Sequence, residues 1–199
     1  MRILKLSARS ILNSASKKQI LEVLKMSTNS PVHYEEEITG DLNLEHITSA
    51  EDLKLPRKVG GSLLLNSLTT AEGLVLPESI GGRLDLRSLE NEAGLKLPAS
   101  IGENLDLRSL KTAKGIIFPK NIGGNLGLLS LISAEGSLLP DSVGAILGLG
   151  SLNTIDGLEL PEKIGKSLFL NALPEAELEK LRIKYPHHCA KIITGDINS

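Results

Sequence analysis

The chain repeats itself every 21 residues without a slip. Gly60, Gly81, Gly102, Gly123, Gly144 and Gly165 keep that interval, and so do Pro56, Pro77, Pro98, Pro119, Pro140 and Pro161. Leucine pairs run through the same register from Leu42/Leu44 to Leu168/Leu170. One unit reads L-x-L-x-S-L-x-x-A-E-G-L-x-L-P-x-S-I-G-G-x. Six full units run from about residue 40 to 165, and a seventh starts at Lys166 before losing its Pro and closing Gly. A coil this short cannot bury its apolar face alone, and stacking on its neighbours solves that problem. The expected fold class is therefore a repeat solenoid, mainly β, of about seven rungs. At one strand spacing per rung, equivalent residues lie about 4.8 Å apart and the rod is roughly 30–35 Å long.

Alternation within the unit is strand periodicity. It marks two pieces per rung, Leu84-Asp85-Leu86 and Leu95-Lys96-Leu97, as short strands. Leu84, Leu86, Leu89, Leu95, Leu97 and Ile101 are expected to point inward, each worth roughly 1.5–3 kcal/mol of burial before entropy. Gly94 and Gly102 are expected at turns that need positive φ. Pro98 should end a strand, since it has no N–H to give a ladder. The serines at 67, 88, 109, 130 and 151 form one more column, expected to satisfy backbone groups from rung to rung. A nucleophile has no reason to recur five times.

Composition agrees and narrows the function. Leucine supplies 39 of 199 residues, aromatics only 2%, and there is no Trp. One Cys cannot build a disulfide framework. With 22 basic and 24 acidic residues there is no broad footprint for nucleic acid or an anionic membrane. No apolar run approaches the ~18 residues of a membrane span, and charge interrupts the first residues too early for a secretory signal.

The stretch Leu97-Pro98-Ala99-Ser100-Ile101-Gly102, followed by Leu105-Asp106-Leu107-Arg108-Ser109-Leu110, resembles a leucine-rich repeat. That family combines an L-x-L strand, a later Leu and an L-P-x-x-I/L piece. The resemblance covers roughly 40–173 and implies a right-handed coil with a parallel sheet on one face, often used to bind proteins. Leu89 and Leu110 stand where the family usually carries Asn or Cys, and a second L-x-L stands where many members place a helix. A parallel β-helix outside that family is the alternative architecture. Short repeat proteins of this kind suit the cytoplasm, or an effector delivered into a host cell.

An open coil needs caps over its end rungs. Residues 1–39 are expected to form a helical cap, with Ser16-Lys17-Lys18-Gln19 as a capping box for a helix at about 16–26. Residues 174–199 are expected to form the other cap. Pro174 opens a helix bearing Leu178, Leu181 and Tyr185 on one face, Pro186 stops it, and a short strand follows near Ala190–Thr194.

Little in the chain carries chemistry. His187-His188-Cys189 offers metal-ligand types, but adjacent residues rarely converge on one ion, so a surface tail is expected. Cys189 lacks the surroundings of an activated thiol beyond its histidine neighbours. The glycines at 123–127 and 144–148 lack the Lys-Ser/Thr of a phosphate loop. No cofactor and no metal are expected.

The informative face is the outward side of the first strand. Its two positions per rung vary strongly, whereas the inward columns hardly vary. Asp85, Arg87, Asp106 and Arg108 form a charged region; Gly127, Leu129, Gly148 and Gly150, bordered by Phe169, form a flat apolar shelf. A protein-docking surface is the favoured reading, giving a non-enzymatic scaffold or adaptor that binds another protein. Unconstrained drift and cover by the chain's own C-terminal tail are the competing accounts. Asp85 and Asp106, one rung apart, also define an alternative: a polysaccharide-active β-helix enzyme. Homo-oligomerisation through an end or a flat face is a third option.

Overall fold

The computed structural model describes residues 37–51 and 53–195. Each rung contributes one short strand to each of two parallel sheets. The first strand of the L-x-L pair builds an eight-stranded sheet, from Leu42–Asn43 through Leu168–Phe169, closed by Ile192–Ile193 from the tail. The second sheet has seven strands, from Glu37–Ile38 to Lys163–Ile164. Leu84 pairs with Leu105 and Leu105 with Leu126, so equivalent residues of successive units lie in register. Two parallel sheets with this period fit a repeat solenoid. The buried side chains form one continuous cluster from Leu42 to Tyr185.

The inward columns fall where alternation places them. Leu84, Leu86 and Leu89 are fully buried, Leu95 and Ile101 nearly so, and Leu97 packs against the core partly buried. Two turns per rung are closed by backbone bonds. One runs from Leu89 N–H to the Leu86 carbonyl at 3.0 Å, the other from Leu74 N–H to the Ala71 carbonyl at 3.0 Å. The second holds Gly73 at φ 75°, as a type II turn requires of its third residue. Gly94, Gly115, Gly136 and Gly157 repeat it.

Three expectations need correction. The second strand of the rung is not Leu95-Lys96-Leu97 but the piece after the proline, Ser100–Ile101. Among the described residues the second L-x-L forms no ladder, apart from one isolated bridge between Ile117 and Leu138. The reason lies in the glycine column. Gly102 does not have positive φ; a Cβ there would collide with the carbonyl oxygen of Gly81, and the same holds for Gly123, Gly144 and Gly165 against the rung before. Bare glycine lets the rungs approach, and the Gly102 N–H reaches the Ile80 carbonyl at 2.9 Å. The first sheet thus ladders on its leucine alternation, whereas the second ladders beside the glycine column.

The third correction concerns the C-terminus. Its helix, α1 (Glu175–Lys184), starts after Pro174 and buries Leu178 and Leu181 as expected. A 3-10 turn at Pro186–Lys191 follows, and Ile192–Ile193 adds one more parallel strand beside Leu168–Phe169. Among the described residues, up to Gly195, the tail thus extends the sheet at its edge through Ile192–Ile193. His188 is 1% exposed and part of this cap, not of a surface tail. The helix expected at 16–26 lies outside the described residues. No helix among the described residues is long and apolar enough to cross a membrane.

Candidate functional site

The eight-stranded sheet brings the chosen residues onto one face. Asp85, Asp106, Gly127, Gly148 and Phe169 occupy five consecutive strands in direct register, and Ile193 continues the row. Arg87, Arg108 and Leu129 stand two residues further along their rungs.

The charged half is internally paired. Arg87 sets its Nε 3.0 Å and 3.1 Å from the two carboxylate oxygens of Asp85 and its Nη2 2.5 Å from Oδ2. Its backbone N–H also donates to Asp85 Oδ1 at 3.2 Å, closing a small side-chain turn. Arg108 and Asp106 repeat every one of these bonds one rung on. Asp85 takes a second guanidinium, Arg83 Nη2 at 3.0 Å, and its side chain is fully buried beneath the two arginines. Burial pushes the Asp85 carboxyl up. The Arg87 side-chain and backbone bonds, with the charges of Arg87 and Arg83, outweigh it and hold the pKa below the usual aspartate value. The surface therefore presents guanidinium, not carboxylate. Arg87 and Arg108 remain 37% and 49% exposed, so their outer edges are open to a partner.

Serine makes a smaller contribution than its column suggested: Ser88 Oγ donates to the Asn66 carbonyl of the rung before, at 2.5 Å. A different polar column ties rungs together. Asp41, Ser62, Asn104 and Asn125 each accept the backbone N–H of the residue one unit later, as in Asn104 Oδ1 to Asn125 N–H at 2.7 Å. It stops at Arg83 and Ile146, whose N–H groups donate to the column but whose side chains offer no oxygen to the next rung.

The apolar half is not bare backbone. Leu129 lies across the next rung, its Cδ2 only 2.8 Å from where a Cβ on Gly148 would stand and 3.6 Å from one on Gly150. Gly148 is buried under it. The two glycines form the bed in which Leu129 lies flat. Gly127 has room for a side chain, the nearest atom to its virtual Cβ being Asp106 Oδ1 at 3.5 Å. Leu129 and Phe169 are half-buried and Ile193 is 40% exposed, so an apolar edge follows the guanidinium pair along the sheet.

Arg83 and Ile193 escaped the sequence reading. Arg83 stands two residues before Asp85, on the same side of an alternating segment, which is the signal that marks it. Ile193 had no such signal, because pairing of the tail is set by the cap and not by the repeat. Among the described residues no group of three or more His, Cys, Asp or Glu side chains is placed to hold a metal. His188 donates through Nε2 to a backbone carbonyl, and Cys189 Sγ lies 3.7 Å from the carbonyls of Arg182 and Tyr185. No family model matches the chain, and neither the curated proteins nor the solved structures yield a match.

Proposed function

We propose that this chain is a non-enzymatic protein-interaction module, a leucine-rich-repeat-like right-handed coil acting as scaffold or adaptor. It works in the cytoplasm, either of its own cell or of a host into which it is delivered. A partner docks on the eight-stranded sheet. The observation that carries this reading is the ordered pair of guanidiniums beside an apolar edge. Arg87 and Arg108 are held in fixed geometry by carboxylates that are themselves hidden, while Leu129 is spread flat by Gly148. Preorganised arginines flanking an apolar strip match the composition of protein interfaces, and holding them rigid lowers the entropy cost of binding. A partner with surface carboxylates beside an aliphatic or aromatic anchor fits this face.

The enzymatic alternative, with Asp85 and Asp106 as an acid–base pair, is favoured by their direct register. The arginine pairing weighs against it. A carboxylate closed by two guanidiniums and held ionised is a poor proton donor and is not free to act as base.

The test is affinity capture from the native cell with three baits: wild type, the double variant Arg87→Glu/Arg108→Glu, and Leu129→Lys. A partner held by wild type and lost from both variants, with thermal stability unchanged, supports the reading. Retention by both removes it. Incubation with a polysaccharide panel beside Asp85→Asn checks the alternative: cleavage lost in that variant would replace the adaptor reading.

A further inference from the structure

A different side of the rod carries a second pattern, independent of the sheet-face reading. This side is formed by the second L-x-L of each rung and its flanking turns. Down its middle run Lys96, Ile117, Leu138 and Glu159; before the turn glycine stand Lys114, Glu135 and Asp156; after the proline stand Lys120, Asp141 and Glu162. All are exposed. Over the third to sixth rungs the charge passes from basic to acidic between the fourth rung (105–125) and the fifth (126–146); the acidic Glu72 and Glu78 of the same columns lie further out, on the second rung. At the change lie Ile117 and Leu138, 77% and 69% exposed and bridged to each other. Val75, two rungs before Ile117 in the same column, is 74% exposed as well, but only Ile117 and Leu138 stand on adjacent rungs at the change of sign.

The charges are available. Among the described residues Lys96, Lys114, Lys120, Glu135, Asp141, Asp156 and Glu162 form no ion pair. Glu159 meets Lys184 at 2.9 Å, yet its side chain stays 74% exposed. A uniformly acidic partner would be repelled by the fifth and sixth rungs, and a basic one by the third and fourth. The occupant must carry the same two signs in reverse order around an aliphatic centre.

A second copy of this chain does so. A half-turn about an axis in the plane of this face, across the rod between the fourth and fifth rungs, sets two rods antiparallel. Ile117 then faces the partner's Leu138, Lys114 the partner's Glu135, Lys120 the partner's Asp141, and Lys96 the partner's Glu159. The two-fold repeats each contact. Moving the axis by half a rung, onto either rung, sets Lys114 against Lys114 and Lys120 against Lys120, or Glu135 against Glu135 and Asp141 against Asp141. Like-charge opposition selects the one register. We propose that the chain forms a two-fold antiparallel dimer through this face, with Ile117 and Leu138 at its centre.

Sedimentation of the full chain tests this. Wild type should run at twice the chain mass, and added salt should weaken the dimer. Two charge-reversed chains separate the surfaces: Lys114→Glu/Lys120→Glu, and Glu135→Lys/Asp141→Lys. Each alone should be monomeric, with dimerisation roughly a hundredfold or more weaker. Mixed, they should form a one-to-one dimer, because every paired charge is again opposite. Circular dichroism of each chain checks that the rungs are intact. Wild type that stays monomeric as concentration rises would overturn the proposal. So would a dimer that survives in each reversed chain alone, since it would form elsewhere, at a sheet edge or the docking face.

Discussion

His188 Nε2 lies 2.8 Å from the carbonyl oxygen of Pro161, where a carbonyl of the last full rung would otherwise be left without a donor. A carbonyl can only accept, so Nε2 carries the proton and Nδ1 does not. Nδ1 is buried with no partner among the described residues. Burial lowers the His188 pKa first; the bond to Pro161 raises it, the charges of His187 and Lys191 lower it, and the net value lies below 6.5. The unfolded chain therefore binds this proton more readily than the folded one. Its contribution to stability is complete above pH 6.5 and is lost as pH falls from there through the folded pKa. Thermal unfolding should show a loss over that window, and His188→Gln, which keeps a donor but does not titrate, should lose that step. An unchanged profile in the variant would assign the step to another group.

Asp85 has the opposite chemistry and the same direction. Its folded pKa is lowered below 3.8, so its stabilisation is present above that value and disappears as pH falls through the folded pKa. Asp85→Asn should flatten the acid limb of the unfolding profile. At neutral pH the variant should lose about 1–3 kcal/mol. That is less than a wholly buried pair would lose, because Arg83 and Arg87 reach water and can be solvated alone. Urea titrations at neutral and acid pH separate the two effects. Asp106→Asn should lose less, since Asp106 has one guanidinium instead of two.

The repeat was legible because stacking demands it of the sequence. Every inward Leu meets its equivalent one rung away, so any lapse in the register leaves a hole in a shared core. The outward row of the eight-stranded sheet was legible only by subtraction, as the positions that vary while the inward columns do not. What escaped was set by contacts the alternation does not encode. Leu95-Lys96-Leu97 has strand periodicity, yet the second ladder formed on Ser100–Ile101, beside the Gly102 column where bare backbone lets the rungs approach. The concealment of Asp85 depends on the reach of Arg83 around the corner of the rung. The burial of His188 depends on where the 3-10 turn returns the chain to Pro161. Exposure of Ile117 and Leu138 was marked by their column, in which other rungs place Lys54, Lys96 and Glu159 beside the equally exposed Val75.

Two glycine columns with different physical reasons should respond differently to the same substitution. Gly73 has φ 75° and open space around it, so Gly73→Ala meets only backbone strain, about 1–2 kcal/mol. Gly73→Asn should recover part of that, since Asn tolerates the left-handed region. Gly102→Ala has ordinary φ but drives its Cβ into the Gly81 carbonyl, a backbone atom that cannot rotate away. Its cost should lie at or above the ~1–3 kcal/mol of ordinary overpacking, and Asn should be worse than Ala. Equilibrium urea unfolding of the four variants tests the contrast. Equal penalties at both sites, or rescue by Asn at 102, would contradict the close-approach account.

Tyr185 meets three atoms of the last full rung through one hydroxyl. It donates toward the Leu158 carbonyl at 2.9 Å or Glu159 Oε2 at 3.0 Å, and it accepts the Leu160 N–H at 3.3 Å. Lys184 Nζ reaches the same Leu158 carbonyl at 2.9 Å, and Glu177 Oε2 accepts the Ile155 N–H at 3.0 Å. Together these side chains replace the rung that would come next. Tyr185→Phe keeps the ring and its burial but strips the hydroxyl. The Leu158 carbonyl keeps Lys184 as a donor, whereas the Leu160 N–H loses its acceptor. The loss should be modest globally, about 1 kcal/mol, and concentrated at one amide. Hydrogen exchange should show Leu160 losing protection while the amides of the central strands, such as Leu105 and Leu126, hold theirs. Uniform loss across the rungs would mean that the cap and coil open as one unit and that the hydroxyl acts on global stability alone.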